Sequence, residues 1–155
     1  MVRGIKYLML SGLFGILSIS STYAESVHPH LNYALPFVEK EWTKSIKADG
    51  SCVLSTGHNG FDVVIRNGHT GIYSTRDISP GVFWQIRTEQ NVYRTSAENF
   101  PDDMVAGILS NLKTTHKAYV EWSEPNHKFR SHLRISTIVT MDGFSELLNQ
   151  CTHSR

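Results

Sequence analysis

Apolar and polar residues alternate along much of this chain, and the alternation is broken twice by a helical period. From Gly50 onward the punctuation is clear. Asn59-Gly60 and Asn67-Gly68 each sit between strand-like runs, and Asn-Gly favours type I′ hairpin turns, which need positive φ at both central residues. Read as two-residue turns, they place His58 opposite Phe61, Thr56 opposite Val63 and Leu54 opposite Ile65. The second places Arg66 opposite His69 and Val63 opposite Ile72. Cys52, Leu54, Phe61, Val63, Ile65 and Ile72 then share one face of a three-stranded meander.

Ser79-Pro80-Gly81 marks the next turn. Val82, Trp84 and Ile86 alternate on a strand, and Glu89-Gln90-Asn91 leads into a second strand, Val92 to Thr95. The period then changes. Pro101 suits the first helical position and Asp102 and Asp103 the positive end of a helix. Met104, Val105, Ile108, Leu109 and Leu112 form its apolar stripe. A last hairpin is expected around Ser123-Glu124-Pro125-Asn126, with Trp122 opposite His127, Val120 opposite Phe129 and Glu121 paired with Lys128. Phe144, Leu147, Leu148 and Cys151 then follow at i, i+3, i+4 and i+7, with Asp142 as N-cap. The fold class is mainly β, a sandwich-like set of antiparallel meanders. It carries two short helices, about 100–113 and 142–151, and one disulfide.

The start of the chain obeys other rules. Arg3 and Lys6 precede an apolar run from Tyr7 to Ile19, and Thr22 and Ala24 fit the small positions before a cleavage site. Residues 1–24 read as a signal peptide, with an apolar run too short to span a bilayer comfortably. Residues 25–36, with Pro29 and Pro36, read as a flexible lead-in, and 37–155 as a single β-rich domain. Within it, Phe37 to Lys47 reads as an edge-like first strand. The spacing of Val38, Trp42 and Ile46 equally suits a helical face.

Export changes the reading of charge and cysteine. The 155-residue chain carries 15 Lys and Arg against 14 Asp and Glu, and removing residues 1–24 takes away two of the cations. A near-neutral chain gives no reason to expect nucleic acid as partner. No later segment is apolar enough to span a bilayer, so the expectation is a soluble periplasmic or secreted protein. Cys52 and Cys151 are the only cysteines, and in an oxidising compartment they favour a disulfide. The loop so closed is worth up to roughly 4–5 kcal/mol by chain entropy.

Candidate chemistry is sparse. Lys128, Arg130, His132 and Arg134 alternate on the outward face of one strand, a basic stripe about 20 Å long by strand rise. Tyr119 lies opposite Arg130 in the expected register. The stripe suits an acidic protein, lipid head groups or a polyanionic glycan; the plainer reading is a solvated strand face that discourages edge-to-edge aggregation. No nucleophile elbow, zincin, phosphate-loop or dinucleotide motif is present. His58, His69, His116, His127 and His132 are dispersed, and ordinary surface histidines explain them. His28-Pro29-His30 is a lone H-x-H in the lead-in, which a linker explains as well as a metal ligand pair. Trp42, Trp84 and Trp122 alternate inward and read as core. No metal site or cofactor is assigned.

The layout resembles a family. Trp42 in a first strand, Cys52 ten residues on, a meander, the Asp102–Leu112 helix, a hairpin and the terminal Gly143-Phe144-Ser145 to Cys151 motif are similar to the invasion-associated locus B proteins and related small bacterial periplasmic proteins. The resemblance implies a β-sandwich without enzymatic activity and a role in the envelope. This chain differs in having no further cysteines and in its many histidines. The leading expectation is a non-catalytic exported binding or accessory protein of the bacterial envelope, in a secretion or host-interaction system, with a protein as partner. Two alternatives stand beside it: an immunity-type inhibitor of a periplasmic toxin, and a small metal-binding protein or hydrolase using His58, His69 and a nearby carboxylate.

Overall fold

In a computed structural model, residues 39–126, 128 and 131–153 are described. In chain order they form β1 (Glu39–Lys40), β2 (Thr43–Ile46), β3 (Cys52–Ser55), β4 (Phe61–Arg66), β5 (His69–Ser74), β6 (Phe83–Arg87), β7 (Val92–Thr95), α1 (Asp102–Leu112), β8 (Lys117–Asn126), β9 (Ser131–Thr140) and α2 (Phe144–His153). The expected signal peptide and lead-in, with His28 and His30, lie outside the described residues, as does Arg130.

The strands make two sheets, one of four in the order β2-β3-β4-β5 and one of five in the order β1-β9-β8-β6-β7. Neighbours are antiparallel except β1, which runs parallel to β9. The expected first strand is divided between the sheets: β1 joins one and β2 the other, with Trp42 buried at the crossing. Its ring packs edge-on to Phe61 at 5.2 Å and against Phe144 at 4.7 Å.

The inner faces follow from alternation. Cys52, Leu54, Phe61, Val63, Ile65 and Ile72 from the four-stranded sheet meet Trp84, Ile86, Val120, Trp122, Ile135 and Val139 from the other. Each fully buried side chain of this size contributes about 1.5–3 kcal/mol. The indoles of Trp84 and Trp122 are buried without losing hydrogen bonds, donating to the Ala97 carbonyl at 2.8 Å and to Ser74 Oγ at 3.0 Å. Helix α1 adds Val105, Ile108 and Leu112 to this core, and α2 adds Phe144, Leu148 and Cys151. Cys52 and Cys151 are joined in a disulfide, with Cα atoms 5.6 Å apart.

Registers differ from expectation in two hairpins. At Asn67-Gly68 the two-residue turn holds, with Arg66 opposite His69 and Val63 opposite Ile72; φ is +50° and +80° at the two turn residues. At Asn59-Gly60 the loop is longer, so Leu54 faces Val63 and Cys52 faces Ile65. Thr56 is the cause: its Oγ1 accepts from the Phe61 N–H at 2.9 Å, while its own N–H bonds the Phe61 carbonyl at 3.3 Å. The β8–β9 strands run on through Asn126, and Trp122 faces Ile135 rather than His127. Pro125 is tolerated because β6 pairs no further than Ser123, leaving that end of β8 an edge. Both displacements are even, by two and by eight residues, and an even slip leaves every side chain on its expected face.

Helix boundaries are slightly inside or beyond those expected. Pro101 is the N-cap of α1, one position before the helix, with its carbonyl accepting from Met104 N–H at 2.9 Å. In α2 the Leu147 N–H bonds the Gly143 carbonyl at 3.0 Å, so Gly143, at φ +75°, holds the N-cap position expected of Asp142.

Candidate cationic binding face

The outer face of the five-stranded sheet gathers the polar partners of the core residues. Alternation puts Phe83, Gln85 and Arg87 of β6 on the side opposite Trp84 and Ile86. Pairing then carries the same side across the sheet: Arg94 to Gln85 to Glu121 to Ser136 in one row, and Val92 to Arg87 to Tyr119 to Ile138 in the next. These are cross-strand neighbours, close enough to interact directly.

Two arginines lie over aromatic rings. The Arg87 guanidinium is 4.4 Å from the Tyr119 ring centroid and that of Arg94 is 4.6 Å from Phe83. Each stack is worth about 0.5–1 kcal/mol at an exposed site. It restrains the guanidinium, and the N–H groups that Gln85 and Glu121 do not engage stay available for a carboxylate. Gln85 links the row: its Oε1 accepts from Arg94 Nε at 3.1 Å and Nη2 at 2.9 Å, and its amide N–H donates to Glu121.

The charges do not cancel. Glu39 pairs with Lys117 at 3.3 Å and Glu121 faces Arg87 at 3.7 Å. Arg94 is held by a neutral amide, and neither it nor Arg134 makes an ion pair with a described residue. His132 and Arg134 stand on the same side of β9, opposite Pro125 and Ser123, with the His132 ring 6.5 Å from Phe83. An excess of positive charge therefore sits on one face of a chain whose overall balance is near neutral.

The expected stripe is only partly brought together. His132 and Arg134 are on β9 and exposed, whereas Lys128 lies in the turn before it. Tyr119 is half-buried and opposite Ile138, not Arg130, because the hairpin closes later. Glu121 stands opposite Ser136 rather than Lys128, and it reaches Gln85 and Arg87. Sequence reasoning missed Arg87, Arg94, Phe83 and Gln85. Their signal was the complement of a pattern already seen: if Val82, Trp84 and Ile86 point inward, Phe83, Gln85 and Arg87 point outward together.

Among the described residues the histidines do not converge. His58 and His116 are exposed, His69 Nε2 lies 3.3 Å from Asp102 Oδ1 in an exposed pair, and among the described residues no group of three or more His, Cys, Asp or Glu is placed to hold a metal ion. A second charged cluster ties loops together. Arg76 donates to Asn59 Oδ1 at 2.7 Å and to Glu124 at 2.6 Å, with its guanidinium 5.8 Å from the Trp122 ring centroid. Among the described residues no helix is long and apolar enough to cross a membrane. Compared with protein-family models, curated proteins and solved structures, the chain matches none.

Proposed function

We propose that this chain is a non-catalytic, exported binding protein of the bacterial envelope that docks an acidic protein partner on the outer face of its five-stranded sheet. The observation that carries the reading is the stacking of Arg87 on Tyr119 and Arg94 on Phe83, beside Arg134, on one face where, among the described residues, Glu121 and Glu39 offset them. Arginines so restrained lose less freedom on meeting carboxylates, so they favour a specific acidic surface over diffuse charge. The disulfide fits an oxidising compartment, and the resemblance to invasion-associated locus B proteins agrees with an envelope role.

Charge inversion tests the reading. A variant with Arg87→Glu, Arg94→Glu and Arg134→Glu is expected to keep the disulfide and fold, since all three side chains lie off the core. It is expected to lose the acidic partner that the parent domain retains from envelope extract at physiological salt. Undiminished retention would remove the face from the account.

A further inference from the structure

Resting on that docking reading, we infer that the partner is held by β-strand addition to the free edge of β7, and that the strand it contributes carries an acidic and an apolar residue two positions apart. The edges of the two sheets differ. Beside β5 the chain itself covers the edge, with Phe100 N–H bonding the Ile72 carbonyl at 3.0 Å and Ser74 N–H the Glu98 carbonyl at 2.8 Å. β1 offers two residues, and β2 belongs to the other sheet. Among the described residues, β7 is paired only with β6.

The direction of its backbone groups follows from the hairpin. Thr88 N–H donates to the Asn91 carbonyl at 2.8 Å, which makes Thr88 and Asn91 a bonded pair. Bonded and non-bonded pairs alternate in an antiparallel ladder, so Tyr93 and Thr95 bond to β6. The N–H and C=O groups of Val92 and Arg94 then point out of the edge. These are the two β7 residues whose side chains lie on the cationic face. Val92 is 54% exposed, while Tyr93 points inward and its hydroxyl bonds Asn111 of α1.

An added strand gains main-chain hydrogen bonds from the edge and specificity from alternate side chains. In an antiparallel register, its residue opposite Arg94 is best acidic and the one two positions on, opposite Val92, apolar. The residue between them faces Tyr93 and is best small. Charge argues against a second copy of this chain as occupant: pairing β7 with itself would set two arginine-bearing faces side by side, where like charges repel.

The test uses the oxidised, isotope-labelled domain and the capped peptide Thr-Glu-Thr-Val-Thr-Glu-Thr-Val. Binding is expected to shift the Val92 and Arg94 amide resonances and to slow their hydrogen exchange tenfold or more. Methylating the Glu and Val amide nitrogens of the peptide is expected to abolish binding, and Arg94→Glu to weaken it at least tenfold. Val92→Pro, which removes an outward N–H and no β6 bond, is expected to weaken it as well; exchange in the parent domain gives the answer if that variant does not fold. Equal binding of the methylated peptide, or shifts centred on Arg134 and Ser136 with Val92 and Arg94 unaffected, would overturn edge addition and leave face docking standing. A failure of the parent peptide to bind, or protection at Val92 and Arg94 from self-association without peptide, would also overturn it.

Discussion

At the residue scale, the loop after β3 shows how one side chain sets a register. Gly60 has no room for a β-carbon, which would lie 2.0 Å from Thr56 Oγ1, the atom that replaces a ladder bond. Gly60→Ala is expected to lower stability by about 1–3 kcal/mol, read as a fall in the denaturant midpoint at unchanged slope. Asp49 offers a test in pH. The Ser51 hydroxyl, then the Ser51 N–H at 3.0 Å, and more weakly Arg66 hold its carboxyl below the ordinary value. A depressed folded pKa adds stability that is present above the unfolded value and lost as pH falls through the folded one. Protection of the Ser51 amide, taken against its intrinsic exchange rate at each pH, is therefore expected to fall below about pH 4, and Asp49→Asn to remove that acid dependence.

At the scale of elements, α2 is a clasp. Cys151 bonds to Cys52 on the inner face of β3, Phe144 packs on Trp42, and Gln150 accepts from Lys44 Nζ at 2.7 Å. Replacing both cysteines with Ala is expected to cost about 2–5 kcal/mol and to raise hydrogen exchange in α2 before the sheets, since the core strands keep their ladders. This element was legible in the sequence because its helical spacing and its cysteine agree. The inward faces of β3, β4, β6, β8 and β9 were legible too, because alternation survives an even slip. Registers were not. Loop 57–60 is pinned from outside, with Gly60 N–H donating to Thr75 Oγ1 at 2.8 Å and Arg76 reaching Asn59. Pro125 is accommodated by the end of a neighbouring strand. Those are tertiary facts that local turn residues do not announce. The candidate site suffered most: an error of eight residues in β8–β9 pairing set Tyr119 opposite Arg130 instead of Ile138, and no local signal announced the β6–β8 pairing that puts Arg87 beside Tyr119.

At the scale of the whole molecule, the two sheets separate a packed core from a charged outer face. Tryptophans and aliphatic residues fill the space between the sheets, α1 and α2 contribute to that core, and the outer side of the larger sheet is left to arginines on aromatic supports. Alternation makes this division almost free, since each core residue of a strand is flanked by outward positions that packing does not constrain. The most direct measurement is site-specific photo-crosslinking in the oxidised protein, with a photoreactive residue at Ser136 on the cationic face or at His69 on the outer side of the other sheet. Docking on the five-stranded sheet predicts a crosslinked partner with an acidic surface from Ser136, lost on adding Arg87→Glu and Arg94→Glu, and none from His69. Crosslinks of equal yield from both positions, or from His69 alone, would contradict it.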